Sequence, residues 1–507
     1  MKDMKRLLIY ALIMLCSVLG ACKKFLAENS QDEMRPSTTT DLTALMYGDA
    51  YPYNQSMDNF DLLTDDVQSN GLATSNNVQV SAYVTPLNNG TLIFTFNPTM
   101  FDVSNTIPGG ANLYEIYYKK IKGCNVIMDY LDKVSGTEQS KNAILGQCLF
   151  LRSYYLLKLV SLYAQPYRAE GVNPETALGV PLVLSSEVRD GGLARASLKQ
   201  TYDQIEKDLL EAEALLKANY VPTSAYRIGA TAAKALLSRF YLYRGLDTDL
   251  DKVVNYANLV IAERSSLTPL VSFLNANNVS NGTGIFDAAN IEVLWVYGTN
   301  PRSDATYFPT TITGNTTPPY TVSAGLSSLY DQGTGNTNYG DLRYLMYFSK
   351  YTNGGTFLFA SSKATNNSIG GTKGFRLAEV YLNRAEALIQ RFLKNGDAAD
   401  RTQALADLNY LRQNRYDTRN SAYTPISIID GAALYSFYQQ ERRRELALEE
   451  GHRWMDIKRW GLAVNHVYIS ADGVSSTHTL VANSPLYALP IPVTALANNT
   501  ELLQNPR

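Results

Sequence analysis

Glu441, Glu445 and Glu449 recur at four-residue steps, which would place them on one face of a helix. Paired carboxylates are the equipment of glycoside hydrolysis, one acting as general acid and the other as base or nucleophile. Here Arg442, Arg443, Arg444 and Arg453 sit among them. A guanidinium beside a carboxylate holds it ionised, whereas a general acid needs a raised pKa. The stretch therefore reads as a structural ion-pair network, with a surface hydrolase as the weaker alternative. Asp247-Thr248-Asp249-Leu250-Asp251 copies the opening of a calcium loop. Lys252 stands where that loop needs glycine, and Asn258 where it needs its bidentate glutamate. Acids opening a helix, favoured by its dipole, are the better reading. The chain carries no HExxH, GxSxG, CxxC or P-loop pattern. With 3 histidines in 507 residues, histidine-based nucleophilic or metal chemistry has little to draw on. The expectation is a protein without catalytic residues, resident metal or cofactor.

One residue does invite covalent chemistry. Lys5 and Arg6 precede an apolar run, Leu7 to Leu19, which ends in Leu19-Gly20-Ala21-Cys22. A basic start, an apolar core and small residues before the cut are a secretory signal. Cysteine just after Gly-Ala makes it the lipoprotein kind, cleaved before Cys22 and acylated on its thiol, with palmitate as the expected chain. The alternative, an uncut anchor, is disfavoured because a spanning helix needs about 20 apolar residues. The organisation expected is a signal at 1–21, a lipidated tether at 22–40 and a single body at 41–507. No second long apolar run is expected to span a membrane.

The formal charge is −2, from 45 Lys and Arg against 47 Asp and Glu. Loss of Lys2, Lys5, Arg6 and Asp3 with the signal leaves 42 against 46. That near-balance gives no basic face for nucleic acid. Cys124 and Cys148 lie on consecutive predicted helices, about equally far from a turn at Ser135-Gly136. A disulfide would suit an exported protein, but apolar neighbours favour two inert buried thiols. The 35 tyrosines against 3 tryptophans are unusual. A tyrosine joins an apolar ring to a polar hydroxyl, so the excess should serve both core packing and a recognition surface.

These residues need elements to position them. Thr40 or Asp41 would cap a short first helix. Residues 50–108 are Asn-, Thr- and Gly-rich, lack a helical period and read as loops with a little helix or strand. Three- and four-residue apolar spacing then predicts helices over 111–134, 141–163, 197–218, 227–244 and 250–261. Such pairs suggest tetratricopeptide-like stacking. Residues 265–372 break the pattern, with β-like runs at Val293–Tyr297 and around Tyr344–Tyr351. Helices return at 375–392, 399–415 and 432–450, and a non-helical segment closes the chain. The fold class expected is mostly α: a helical frame over about 109–263 and 375–461 around a large irregular, partly β region at about 50–108 and 265–372. Long loops on a rigid frame are where binding usually resides.

Several motifs occur in order. Gly146-Gln147-Cys148-Leu149-Phe150-Leu151-Arg152-Ser153-Tyr154-Tyr155 is followed by Gly179-Val180-Pro181-Leu182. Arg376-Leu377-Ala378-Glu379 leads to Ala385-Glu386-Ala387, and Leu408-Asn409-Tyr410-Leu411-Arg412 follows. Glu441-Arg442-Arg443-Arg444-Glu445-Leu446 runs on through Glu449-Glu450-Gly451-His452-Arg453 and Asp456 to Arg459-Trp460. Tyr487-Ala488-Leu489-Pro490-Ile491-Pro492 and Gln504-Asn505-Pro506 end the chain. With the Cys22 lipobox and the Pro36…Asp41 opening, this set resembles the SusD/RagB family of outer-membrane nutrient-binding lipoproteins. One departure is that Lys23 and Lys24 follow the cysteine, where family members often carry acids resembling a surface-export signal.

The resemblance implies a SusD-like fold that captures oligosaccharides, or in some members peptides, above a SusC-like TonB-dependent transporter. It implies polysaccharide utilisation without bond cleavage, an outer-membrane location facing outward, and a peptide or glycopeptide ligand as the alternative. It also implies that the ordered motifs are frame and that the irregular regions bind. Sugar C–H faces stack on aromatic rings while hydroxyls need amide and carboxylate partners. The candidates are therefore Trp295, Tyr297, Tyr307, Phe308 and Tyr320 beside Asn300 and Asp304. Asn76, Asn77, Tyr83 and Asp66 would form the facing wall. For any single ring, local packing competes with ligand contact. The anchor is testable by itself: Cys22→Ala should release the protein from membranes on fractionation, since two acyl chains anchor stably where one is marginal. A variant that still sediments with membranes in high salt would refute lipid anchoring.

Overall fold

The computed structural model describes residues 35–53, 60–72, 81–102, 112–187, 191–274, 284–298, 317–335, 337–352, 356–363 and 373–507. The signal, Cys22 and most of the tether lie outside the described residues. Thr38 opens the first helix, Thr39–Leu45. Its hydroxyl accepts the Asp41 amide at 3.1 Å, and the Asp41 carboxylate accepts the Thr38 amide at 3.0 Å. This is a capping box. The cap is thus Thr38, two residues before Thr40, and Asp41 is its reciprocal partner.

The main helices are α1 (Leu113–Tyr130), α2 (Glu138–Tyr163), α3 (Leu198–Asn219), α4 (Ala230–Arg244) and α5 (Leu250–Glu263). After the irregular region come α6 (Leu377–Asn395), α7 (Ala398–Gln413), α8 (Gly431–Glu445) and α9 (His452–Arg459). Successive members from α1 to α7 pack side by side, and α8 lies on α6. Thus α6 takes its place against α5 although the whole of 264–376 intervenes. The apolar period explains the packing. In α3, Leu198, Tyr202, Ile205, Leu209, Ala212 and Leu216 are the buried stripe. Each leucine or isoleucine among them contributes about 1.5–3 kcal/mol on burial. Helix α2 is apolar on nearly every side and lies between α1 and α3. Contrary to the expectation of no further apolar run, it is long and apolar enough to cross a membrane. Here its apolar surface is spent inside the protein. Cys124 and Cys148 are free and buried. Burial pushes the Cys124 thiol up to about 12, as befits an inert one.

The strands form antiparallel pairs. β1 (Val67–Ser69) pairs with β3 (Tyr320–Val322), and β2 (Val293–Tyr297) with β6 (Lys373–Arg376). β4 (Phe348–Thr352) pairs with β5 (Thr356–Ser361), and β7 (Val464–Ile469) with β8 (Ser475–Leu480). The β1–β3 ladder joins the two irregular regions directly. Three local expectations fail. Ser81–Phe94 is a helix, in which Pro86 and Gly90 had hidden the period. Residues 342–346 are helical before β4 begins. Val493–Asn498 is a short helix in the closing segment.

The ordered motifs are tied across the chain, some to one another and some to the rest of the frame. Arg152 forks onto Asp208 at 2.7 and 2.9 Å, and Arg239 onto Glu379 at 2.6 Å twice. Arg412 reaches Glu441 at 2.6 Å. Asn505 donates to the Tyr163 and Leu489 carbonyls at 2.8 and 2.7 Å. Buried Glu386 accepts from both ends of Arg459 at 2.5 and 2.6 Å and from the Tyr438 hydroxyl at 2.6 Å. Burial pushes the Glu386 carboxyl up, but Arg459 outweighs it and the group falls to about 2. A depressed carboxylate pKa contributes stability that is fully present above about 4.5 and is lost as pH falls towards 2. Acid titration of the folded protein should show this loss, and Glu386→Gln should weaken the protein at neutral pH while flattening that limb. An unchanged acid limb in the variant would mean that Glu386 does not carry it.

Candidate functional site

The three carboxylates that resembled catalytic groups do not share one helical face. Helix α8 ends at Glu445, so Glu449 leaves the expected helical face. All three are buried. Glu445 accepts from Arg376 at 2.9 Å, Arg415 at 3.0 Å, Arg343 at 3.1 Å and the Tyr347 hydroxyl at 3.0 Å. Glu449 is held by Arg376 at 2.7 Å and Lys363 at 2.8 Å. Glu441 is held by Arg343 at 2.7 Å and by Arg412 and Arg444 at 2.6 Å each. Glu292 joins through Arg415 at 2.9 Å. The expected partners were mostly wrong. Of the interleaved arginines only Arg444 meets these glutamates. Arg442 goes to Asp456 at 2.8 Å, Arg443 to Asp66 at 2.6 Å and Arg453 to Asp65 at 2.7 Å. Sequence proximity misled because side chains on the other helical faces point to other layers.

Burial pushes the Glu445 carboxyl up, but Arg415, Arg376 and Arg343 hold it far below the usual range. Burial acts likewise on Glu441, and Arg343, Arg444 and Arg412 outweigh it. Both are the reverse of a general acid. Asp247 and Asp249, from the calcium-like stretch, are also spent on cations: Asp249 pairs with Arg244 at 2.7 Å, and Asp247 with Lys394 at 2.7 Å. Among the described residues no cluster of three or more His, Cys, Asp or Glu could hold a metal ion.

The ligand candidates divide. Tyr307, Phe308, Asn300, Asp304, Asn76 and Asn77 lie outside the described residues. The others are corrected by their burial. Every residue of β2 is buried. Trp295 is enclosed by Phe150 and Tyr154 edge-on at 5.4 Å and by Phe375 at 5.7 Å. The Tyr297 hydroxyl meets those of Tyr154, at 2.5 Å, and the Glu450 carboxylate, at 3.1 Å. Tyr320 donates to the Leu87 carbonyl at 3.0 Å and packs on Phe94. Tyr83 is buried, and Asp66 is the buried partner of Arg443. All five are buried, so none presents its side chain at the surface. The rings complete the core because helical neighbours cover both sides of β2, which alternation along a short strand cannot reveal.

An open groove of about 680 Å³ lies elsewhere on the surface. Its walls are the turn Pro222–Ala225 after α3, the end of α5 with Ser265 and Ser266, and the approach to β2 at 288–291. The Val296 amide donates to the Ala225 carbonyl at 2.9 Å, which ties two walls together. The lining mixes Ser and Thr hydroxyls and backbone with the exposed apolar Ile291 and Pro222. Glu263 is occupied by Lys234 and by Thr231 at 2.6 Å. This is equipment for holding a polar, hydroxyl-rich ligand. Sequence reasoning missed the Pro222-Thr223-Ser224 wall, whose only signal was a polar turn between two helical periods.

Comparison with known proteins adds an independent finding. A family model described as "Starch-binding associating with outer membrane" matches residues 24–242, and one described as "SusD family" matches residues 267–507. The starch-binding protein SusD of Bacteroides thetaiotaomicron is 36% identical over 133 residues. That stretch is 26% of this chain and only 20% of that protein. Among solved structures, a putative sugar binding protein from Bacteroides vulgatus superposes with a TM-score of 0.66 at 23% identity, covering 94% of this chain and 99% of its own. A SusD superfamily protein from B. thetaiotaomicron gives 0.66 at 21% identity, covering 93% and 100%. At such identities the likeness is one of fold.

The network makes a quantitative prediction. Glu445→Gln leaves three arginines sharing a neutral amide. Breaking a buried pair costs about 3–5 kcal/mol, so urea unfolding should shift by that order. A variant as stable as the parent would show that Glu445 does not hold these segments.

Proposed function

The chain belongs to the SusD/RagB family, and on that footing we propose that it captures oligosaccharides at the cell surface and passes them to a SusC-like TonB-dependent outer-membrane transporter. The observation that carries this reading is the pair of family models that together span nearly all of the mature chain, one of them described by starch binding at the outer membrane. The Cys22 lipobox supports lipid anchoring, and the anchoring would set the groove beside a membrane pore, facing outward. The buried and arginine-bound state of Glu441, Glu445 and Glu449 supports capture without hydrolysis.

Ligand contact would fall to the groove at Pro222–Ala225, Ser265 and Ile291. Tyr307, Phe308, Asn300 and Asp304, with Asn76 and Asn77, stay the sequence's candidates for rings and amides. A polar, open site of this kind gives micromolar to millimolar affinity, about −4 to −8 kcal/mol. A glycan array followed by calorimetry on the mature protein should find oligosaccharide ligands in that range. Detergent-extracted membranes should yield the transporter as a co-purifying partner. Clean binding to peptides with no glycan hit would replace the sugar assignment with the peptide reading while keeping the uptake role.

A further inference from the structure

Tyr47, Tyr51 and Tyr53 follow the first helix within seven residues of one another. Tyr51 is buried, stacked on Tyr53 at 5.1 Å and meeting Tyr47 edge-on at 5.3 Å. Its hydroxyl donates to Gln147 at 2.6 Å and accepts the Ile228 amide at 3.1 Å. The Tyr53 hydroxyl donates to the Tyr226 carbonyl at 2.8 Å. These bonds pin residues 226–228 across the N-terminal segment. They bring the Arg227 guanidinium over the Tyr47 ring at 3.6 Å, and within 5.5 Å of the Tyr53 ring centre. Tyr47, Tyr53, Tyr220 and Arg227 are all half-buried, so they form a surface platform and not core. The adjoining turn is open, with Val221 85% exposed.

Arg227 differs from the other enclosed arginines. Arg152, Arg239, Arg244, Arg343, Arg376 and Arg415 each hold a carboxylate. Arg195 holds none but fills its donors with carbonyls and Asn505. Among the described residues the Arg227 guanidinium makes one hydrogen bond, with the Tyr53 hydroxyl, and no ion pair. Asp49, the acid beside Tyr47 in the N-terminal segment, interacts with Lys120 instead. A guanidinium carries five N–H donors in a planar fork suited to two-point recognition of an oxyanion. Rings beside it offer C–H stacking for a sugar. Arg227 lies two residues beyond Ala225, a wall of the groove, so one bound chain can reach both.

We propose that Tyr47, Tyr53, Tyr220 and Arg227 form a subsite for the anionic group of an acidic sugar unit, a uronate or a sulfated sugar. The inference rests on the carbohydrate-capture reading and narrows its substrate class. The protein is near neutral overall, so selectivity for such a ligand comes from this local cation and not from a general basic field.

The test is calorimetry on the mature, full-length protein with three probes: an oligogalacturonate, a kappa-carrageenan oligosaccharide, which carries sulfate but no uronate, and a neutral malto-oligosaccharide. At least one acidic probe should bind roughly tenfold or more tighter than the neutral one, and the preference should shrink with added salt. Arg227→Gln should abolish the preference. Arg227→Lys, which keeps the charge but loses the fork, should restore it only in part. Thermal melting of both variants guards against a loosened N-terminal segment, and the Lys variant keeps the comparison valid if the Gln variant is destabilised. Uronate and sulfate arms separate the two sources. Equal binding of all probes, or an Arg227→Gln protein of parental melting temperature that keeps the acidic preference, overturns the subsite. Binding of the neutral probe alone also overturns it but leaves carbohydrate capture standing. Binding of no oligosaccharide of any class would remove the capture reading and this inference with it.

Discussion

Glu445 draws three arginines onto one carboxylate, and they arrive from three separate stretches of chain. Arg343 comes from the irregular region, Arg376 from the end of β6 and Arg415 from just beyond α7. Arg415 extends the same fork to Glu292 at the start of β2, and Arg376 extends it to Glu449. None of these side chains has an alternative partner in water once buried, so all must be in place together. Replacing such a network with apolar residues is often neutral or stabilising, whereas removing one member is costly. Its value is therefore register more than net stability. It fixes where 284–376 re-enters the frame, and so lets α6 settle on α5 after a long excursion.

Tyrosine performs the same service at loops. Tyr155 donates to the Ala50 carbonyl at 2.6 Å, Tyr118 to Pro181 at 2.9 Å, Tyr330 to Arg444 at 2.8 Å and Tyr487 to Leu462 at 2.6 Å. In each case the ring joins the apolar interior while the hydroxyl satisfies a backbone carbonyl that no helix or strand serves. A buried carbonyl left unpaired would cost about 1–3 kcal/mol. Phenylalanine could fill the space but not meet that requirement. The tyrosine excess is thus largely absorbed by the frame. Half-exposed rings such as Tyr47, Tyr53 and Tyr220 stand out against that background.

The helical frame was legible because its apolar residues keep a 3.6-residue step, as in α3, and because caps such as Ser197 mark its starts. The segment Val293–Tyr297 was legible as a strand for its β-branched and aromatic content. Its exposure was not. Whether a strand has one covered face or two depends on what packs on it, here Phe150 and Tyr154 from α2, far away in sequence. The ion pairs were legible as a class and not as partners. Glu441 and Arg444 are neighbours on α8, but Glu445 and Arg415 meet only through tertiary closure. The helix at Ser81–Phe94 was hidden because its packing overrides weak local propensity at Pro86 and Gly90.

The anchoring pattern also explains how a large irregular region coexists with a fixed frame. From the entry to β2 as far as β6 the chain meets the buried network at Glu292, at Asp341 and Arg343, at Tyr347 and at Lys363. Loop-closure entropy grows slowly, about 0.6 kcal/mol for each doubling of length. Losing one anchor of a buried pair costs several times more, about 3–5 kcal/mol. Length and composition between anchors can therefore change at little cost while the anchors themselves cannot. The groove beside Ala225 obeys the same logic. One wall is fastened to β2 through a backbone hydrogen bond from Val296, and such a bond is indifferent to the side chains it positions. Recognition can be rebuilt on the exposed residues of this surface without disturbing the carboxylate–arginine core that holds it in place.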